Sequence, residues 1–257
     1  MKITTQFPRY KLFLPEYCAL PCKEAARVIL EKASQRQSFG VAALAVHGLV
    51  ESVNDSVLGE KINRIEMIVP DGQPVVWALN AFHHLDIDFK IPGPTLTLEV
   101  LKLANEQRLN VFLYGSTADT LQRFQDHIAS SYPGVTVVGV HEDRFRDATA
   151  EEDAADIERI NASGAHIVLV GRGCPRQEHW VADHVGKVDS AMLAVGAAFD
   201  YHAGKLKRAP MWVQKYGLEW LFRLIQEPGR LWRRYLFTNL QFIRMCLRAR
   251  LQSSQSK

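Results

Sequence analysis

The stretch Ala165 to Trp180 encodes a strand, a tight turn and a helix in immediate succession, and this constrains the chain more than any other feature. Ile167 to Val170 is an unbroken aliphatic run of strand length, and it ends at Gly171 and Gly173. Pro175 then supplies the fixed φ that suits the start of a helix. A strand that enters a helix through such a turn leaves helix N–H groups facing outward at the positive end of the helix dipole, which suits an anion such as phosphate. Gly171 and Gly173, with Gly115 at the end of another strand-like run, are candidate phosphate-loop residues, and Gln177 and Glu178 fall in the first helical turn beside them. The third glycine of a dinucleotide fingerprint is missing, because Arg176 occupies its position. That weighs against a nicotinamide-dependent oxidoreductase, the runner-up enzyme class.

The same alternation recurs along the chain. Helical periodicity is expected over Cys22 to Arg36, Glu51 to Ile62, Pro74 to Phe82, Thr95 to Arg108, from beyond Thr117 to Ser131, and over Ala150 to Ser163. Strands are expected at Val41 to Val46, Glu66 to Val69, Asn110 to Tyr114, Val135 to Val140 and Ser190 to Val195. Strands spaced by about 25 to 30 residues with helices between them imply parallel βαβ units, hence an α/β fold with a Rossmann-like parallel sheet flanked by helices. Met1 to Pro21 reads as an irregular lead-in, and Asp86-Ile87-Asp88-Phe89 alternates as a half-exposed strand or edge does.

Ligands of open α/β sheets gather beyond the carboxyl ends of the strands, which draws attention to His47 and to Asp71. A carboxylate between proline and glycine also serves as a turn former or helix cap, so Asp71 has two readings. His83, His84, Asp86 and Asp88 include the Asp-x-Asp pattern that can hold a divalent metal, but edge alternation accounts for it more simply, and no metal site is expected.

The formal net charge of +3 conceals a segregation. Tyr201 to Lys257 carries 12 Lys and Arg against 2 acids, whereas the first 200 residues carry 19 against 26. A basic end reads as a surface for anionic partners. From Gly229 to Leu251 a helix is expected with Trp232, Tyr235, Leu236, Leu240, Ile243 and Leu247 on one side and Arg230, Arg233, Arg234, Arg244 and Arg248 on the other. Such a helix suits an anionic membrane interface, and packing of its apolar side onto the sheet is the equal alternative. The chain therefore divides into a Rossmann-like domain over 1–205 and a basic amphipathic appendage over 206–257. No signal peptide and no membrane-spanning run is evident, and the four cysteines lack zinc or disulfide spacing, as in a reducing cytosol. A non-enzymatic module that binds membrane or nucleic acid through the basic end remains the alternative outside enzymes.

The ordered set Pro70-Asp-Gly-Gln-Pro-Val-Val-Trp77, Val111-Phe-Leu-Tyr-Gly115, Val170-Gly-Arg-Gly-Cys-Pro-Arg-Gln-Glu-His-Trp180, Val195-Gly-Ala-Ala-Phe-Asp200, Arg208-Ala-Pro210 and Leu218-Glu-Trp-Leu-Phe-Arg223 through Arg233 resembles the bacterial TagA/WecG/CpsF glycosyltransferases, which are N-acetylmannosaminyltransferase-like. The resemblance implies cofactor-free and metal-independent transfer of a sugar from a UDP-sugar, with inversion, to a saccharide on polyprenyl diphosphate. It places the enzyme on the inner face of the cytoplasmic membrane, with no role for nucleic acid. It also implies that Asp71 is the general base, that Gln177 binds substrate, and that Arg223, Arg230 and Arg233 of the appendage complete the site. Two departures stand out: Ala45-Val46-His47 replaces a usual Thr-x-Asn, and Lys90 to Thr95 lacks a common Arg and Asp. With His47 taken as substrate-binding, these forms look closer to the exopolysaccharide branch, where glucose is transferred, and the donor sugar stays open. So do the acceptor glycan and the oligomeric state, a homo-oligomer being allowed.

Overall fold

The computed structural model describes residues 7–255, apart from the side chains of residues 215 and 253–255. Its elements in chain order are β1 (Arg9–Lys11), β2 (Glu16–Cys18), α1 (Cys22–Ser34), β3 (Phe39–Leu44), α2 (Val46–Asn54), α3 (Ser56–Lys61), β4 (Met67–Pro70), α4 (Gln73–His83), α5 (Gly93–Gln107), β5 (Asn110–Gly115) and α6 (Ala118–Ser131). They continue with β6 (Thr136–His141), α7 (Ala150–Ala162), β7 (Ile167–Gly171), α8 (Arg176–His184), β8 (Ala191–Ala194), α9 (Ala198–His202), α10 (Met211–Lys215), α11 (Glu219–Gln226) and α12 (Pro228–Gln255).

The strands form one sheet in the order β1-β2-β4-β3-β8-β7-β5-β6, parallel except for the β1–β2 pair. Its central strands read as continuous apolar runs because both faces are covered. Val41, Ala43, Val111, Leu113, Ile167 and Leu169 point into a core shared with α1, α5, α6 and α9. Their neighbours Ala42, Leu44, Phe112, Tyr114, Val168 and Val170 point the opposite way, into a core closed by α2, α3, α4, α7, α8 and Phe242 of α12. The period of two along each strand thus assigns every side chain to one of two hydrophobic layers.

Three expectations are corrected. The lead-in is not wholly irregular: Arg9–Lys11 and Glu16–Cys18 pair as an antiparallel edge, since two short extended segments joined by a turn can satisfy each other's backbone groups, while residues 1–6 lie outside the described part. Asp86 to Phe89 forms no strand, because Asn80 meets both backbone groups of Ile87 through its side chain (2.8 and 3.0 Å) and holds the segment as a loop. His47 lies in the first turn of α2 instead of at the end of a strand, as β3 ends at Leu44 and Ala45 caps the helix.

A buried polar network braces the far edge of the sheet. Asp156 on α7 is 1% exposed and accepts hydrogen bonds from Tyr114 (2.8 Å), Arg144 (2.6 and 3.1 Å) and Arg159 (2.7 Å). Burial pushes its carboxyl up, and the hydrogen bonds from Arg144 and Tyr114 outweigh that, so it stays below the ordinary carboxylate range. Asp156→Ala leaves these donors unpaired and is expected to cost about 3–5 kcal/mol. Scanning calorimetry should register this as a fall in Tm of roughly 10 °C.

In the C-terminal segment Gly217, with φ +69°, separates α10 from α11, and α12 runs from Pro228 to Gln255. The side of α12 that packs inward carries Leu231, Thr238 and Phe242, all buried, with Phe242 edge-on to Phe13 at 6.3 Å. Gln241 and Asn54 exchange side-chain hydrogen bonds across to α2. Trp232, Leu236, Leu240, Ile243 and Leu247, the stripe read from periodicity, are exposed at 45–57%; of that set only Tyr235 turns inward. Periodicity finds a helix's faces but does not say which one meets the protein, and here a sparser second face does.

Candidate active site

Beyond the carboxyl ends of β3 and β4, a cavity of about 210 Å³ opens between the sheet and the C-terminal helices. Ala45, His47 and Asp71 line it from the strand ends and the start of α2, and Arg223, Arg234 and Tyr235 line it from α11 and α12. Asp71 follows the last residue of β4, and its N–H donates to the Leu44 carbonyl at 3.3 Å, which ties the two strand ends together. Gly72 then adopts φ +100°, a conformation open to glycine at little cost, and turns the chain straight into α4. The Pro-Asp-Gly sequence therefore does form a turn, and the turn is what presents the carboxylate to the cavity.

Burial raises the Asp71 carboxyl to about 6, against the pull of Arg223, with Glu219 adding to the rise. A carboxylate poised there is largely ionised at neutral pH yet accepts a proton readily. His47 moves the other way: burial, then the charge of Arg234, lower its imidazole to about 4 against the pull of the Cys174 backbone. It is expected to stay neutral over about pH 5–8, and constant ring ¹⁵N shifts through that range would verify it. Lys90 pairs with Glu219 across the cavity mouth and also donates to the Gln214 carbonyl at 3.3 Å. Arg208 donates to Thr95 at 2.9 Å, so two cations tie the α4–α5 loop and the start of α5 to the C-terminal segment.

Of the residues singled out from the sequence, the fold brings Asp71, His47 and Arg223 together on this cavity. Gln177 and Glu178 are 4% and 1% exposed and do not line it. Gln177 donates to Glu178 at 2.8 Å, its Oε1 has no partner, and its amide closes on Gly196, where a Cβ would sit 3.2 Å from that oxygen. Arg230 is exposed and bound to Glu227, and Arg233 is exposed over the Trp232 ring at 5.2 Å, both away from the cavity lining. Gly115 and Gly171 are register partners on β5 and β7, so close that a Cβ on Gly115 would be 2.8 Å from the Gly171 backbone. Phe199 fills the space above Gly171, with ring atoms 2.6 Å from where a Cβ would lie. Gly173 has φ +76° and open space around it, and its carbonyl accepts from the Gln177 N–H at 3.0 Å. His83 is spent on the Lys11 carbonyl at 2.7 Å, and among the described residues no three His, Cys, Asp or Glu side chains converge as a metal site would need.

Lys90, Glu219 and Arg234 were missed. Lys90 had a signal, since its segment departs from the family pattern; Arg234 falls with the other arginines on the side of the helix away from the apolar stripe, and the register of α12 turns it into the cavity.

Residues 12–256 match the family model of the glycosyl transferase WecG/TagA/CpsF family. The chain belongs to the WecG/TagA/CpsF glycosyl transferase family. It is 30% identical over 210 residues to a Bacillus subtilis (strain 168) protein named N-acetylglucosaminyldiphosphoundecaprenol N-acetyl-beta-D-mannosaminyltransferase, covering 80% of this chain and 79% of that one. A Staphylococcus aureus (strain MW2) protein of the same name is 33% identical over 177 residues, covering 68% and 66%. As a WecG/TagA/CpsF protein the chain is an enzyme, which sets aside both the oxidoreductase and the non-catalytic binding module. No helix among the described residues is long and apolar enough to cross a membrane.

Proposed function

We propose that this WecG/TagA/CpsF protein transfers a sugar from a UDP-sugar, with inversion and without a metal cofactor, to a saccharide carried on polyprenyl diphosphate. The reaction takes place at the anionic inner face of the cytoplasmic membrane. The observation that carries this reading is the cavity itself, in which a carboxylate held near 6 faces guanidinium groups from the C-terminal helices. Asp71 takes the proton from the acceptor hydroxyl as that oxygen bonds to the anomeric carbon, on the side opposite the breaking bond to UDP. Arg223 stabilises the negative charge that gathers on the departing diphosphate. Gln177, with an unpartnered Oε1 beside Gly196, and Gly173, with open space around it, are candidate contacts for the remainder of the donor. The exposed stripe of α12, flanked by Arg233, Arg244 and Arg248, is the part that meets lipid.

Two donor types compete. The relatives' names favour N-acetylmannosamine. Ala45, which lines the cavity and has no side-chain hydrogen bond to offer, favours a glucose-type donor and a place in exopolysaccharide synthesis. Incubating the protein with a panel of UDP-sugars and a lipid diphosphate-linked N-acetylglucosamine, in chelator, should yield a product heavier by one sugar for one donor. Absence of product with every donor would defeat the proposal.

A further inference from the structure

Gln177 and Glu178 open α8, and both side chains are buried although neither lines the cavity. Successive residues of a helix point about 100° apart and do not ordinarily face each other. Here they do: Gln177 donates its Nε2 to Oε1 of Glu178 at 2.8 Å. Burial raises the Glu178 carboxyl, and the hydrogen bond from Gln177 opposes that rise. The bond holds in either charge state, because a carboxyl keeps an accepting oxygen when its other oxygen carries a proton. The two ends of an amide have nearly the same shape, so hydrogen bonds alone decide which way it lies. Turned over, Gln177 would set its carbonyl oxygen against an ionised carboxylate, acceptor against acceptor.

At the other end of the amide, Gln177 Oε1 is buried without a hydrogen-bond partner, and such an atom costs free energy until something donates to it. Gly196, two residues beyond β8 and itself partly exposed, leaves room there: a Cβ on it would stand 3.2 Å from Oε1, a hydrogen-bonding distance. Among the described residues no protein group donates to that oxygen. We propose that Glu178 is a positioning residue for sugar transfer: it takes the Gln177 amide nitrogen and so makes Gln177 a hydrogen-bond acceptor toward the UDP-sugar. The group met there is then a hydroxyl or an N–H of the donor substrate and not a phosphate oxygen, which only accepts. This rests on the glycosyl transfer reading above. The hydroxyl or N–H belongs either to the transferred sugar or to the nucleoside.

The test exchanges the two side chains. Wild type, Gln177→Glu, the double variant Gln177→Glu with Glu178→Gln, and Glu178→Leu are each titrated calorimetrically, as the full chain, with UDP, UDP-N-acetylmannosamine and UDP-glucose. Tm and transfer kinetics are measured for each. Gln177→Glu sets two carboxyls against each other and should weaken binding of the UDP-sugar that wild type prefers by at least about tenfold. The double variant should recover to within about threefold of wild type, because the new amide at 178 donates to the new carboxylate at 177, whose second oxygen stays free to accept. Glu178→Leu frees the amide to turn over without adding charge. It should weaken binding by about threefold or more, with KM rising more than kcat falls, and it decides the matter if Gln177→Glu does not fold. A loss seen with UDP as well places the donating group on the nucleoside, and a loss seen only with the UDP-sugars places it on the sugar. Wild-type affinity in Gln177→Glu, or a double variant that binds no better than Gln177→Glu, would overturn the proposal. So would Glu178→Leu protein of lowered Tm that binds all three probes as wild type does, since the bond would then serve stability alone. Should wild type bind and transfer while the exchange restores nothing, only this assignment fails. Should wild type neither bind the probes nor transfer sugar, the glycosyl transfer reading fails with it.

Discussion

Asp71→Asn should bind UDP nearly as wild type does and lose turnover by at least about a hundredfold, the lower end for removal of a general base. The amide keeps the size and the turn geometry set by Gly72, so the defect belongs in kcat and not in donor affinity. In the wild type, kcat/KM should decline as pH falls through about 6, because the acceptor's proton can pass only to the ionised carboxylate. Stability runs in the opposite sense. The folded carboxyl, raised from 3.8 to about 6, holds its proton more tightly than the unfolded chain does, so its contribution favours folding at low pH and is lost as pH rises from about 4 through about 6. At neutral pH the ionised side chain costs at most about 3 kcal/mol, at 1.36 kcal/mol per pKa unit. The Asn variant should therefore melt higher than wild type at pH 7.5, with the advantage shrinking toward pH 4. An inactive variant that melts lower than wild type at pH 7.5 would mark Asp71 as a structural turn residue instead.

The second large effect is expected at the membrane. Replacing Leu236, Leu240 and Ile243 together by Glu should abolish co-sedimentation with vesicles containing anionic phospholipid, and transfer to an acceptor embedded in them. Transfer to a short-chain, water-soluble acceptor should be retained. All three side chains are about half exposed and absent from both hydrophobic cores, so the fold should tolerate the change. Each aliphatic side chain withdrawn from lipid forfeits about 1.5 kcal/mol or more, so three forfeit over 4 kcal/mol, roughly a thousandfold in partitioning before charge repulsion is added. Loss of transfer to the soluble acceptor as well would show that the stripe supports the cavity instead of meeting lipid.

Much of this is legible in the sequence. Ile167 to Val170 and its glycine turn, and the repeated alternation of apolar runs with helical segments, required a parallel sheet, because such runs are stable only when covered on both faces. The Asp-Gly pair after β4 marked the exposed strand end where a carboxylate could work, since local sequence controls backbone turns. The short β1–β2 edge escaped notice because three-residue strands carry too little periodicity to recognise.

The amino-acid sequence by itself determined the layers of the fold, the position of Asp71 and the existence of an amphipathic basic terminus, all of which depend on residues close together in the chain. Only the tertiary structure decided that α12 lays its sparser side on Phe13 and Asn54, that Trp232, Leu236, Leu240, Ile243 and Leu247 face outward, and that Arg234 lines the cavity while Arg230 and Arg233 do not. The physical reason is that helical periodicity defines angles around one axis, whereas the rotation of that axis against its neighbours is set by contacts between residues nearly two hundred positions apart, as between Asn54 and Gln241.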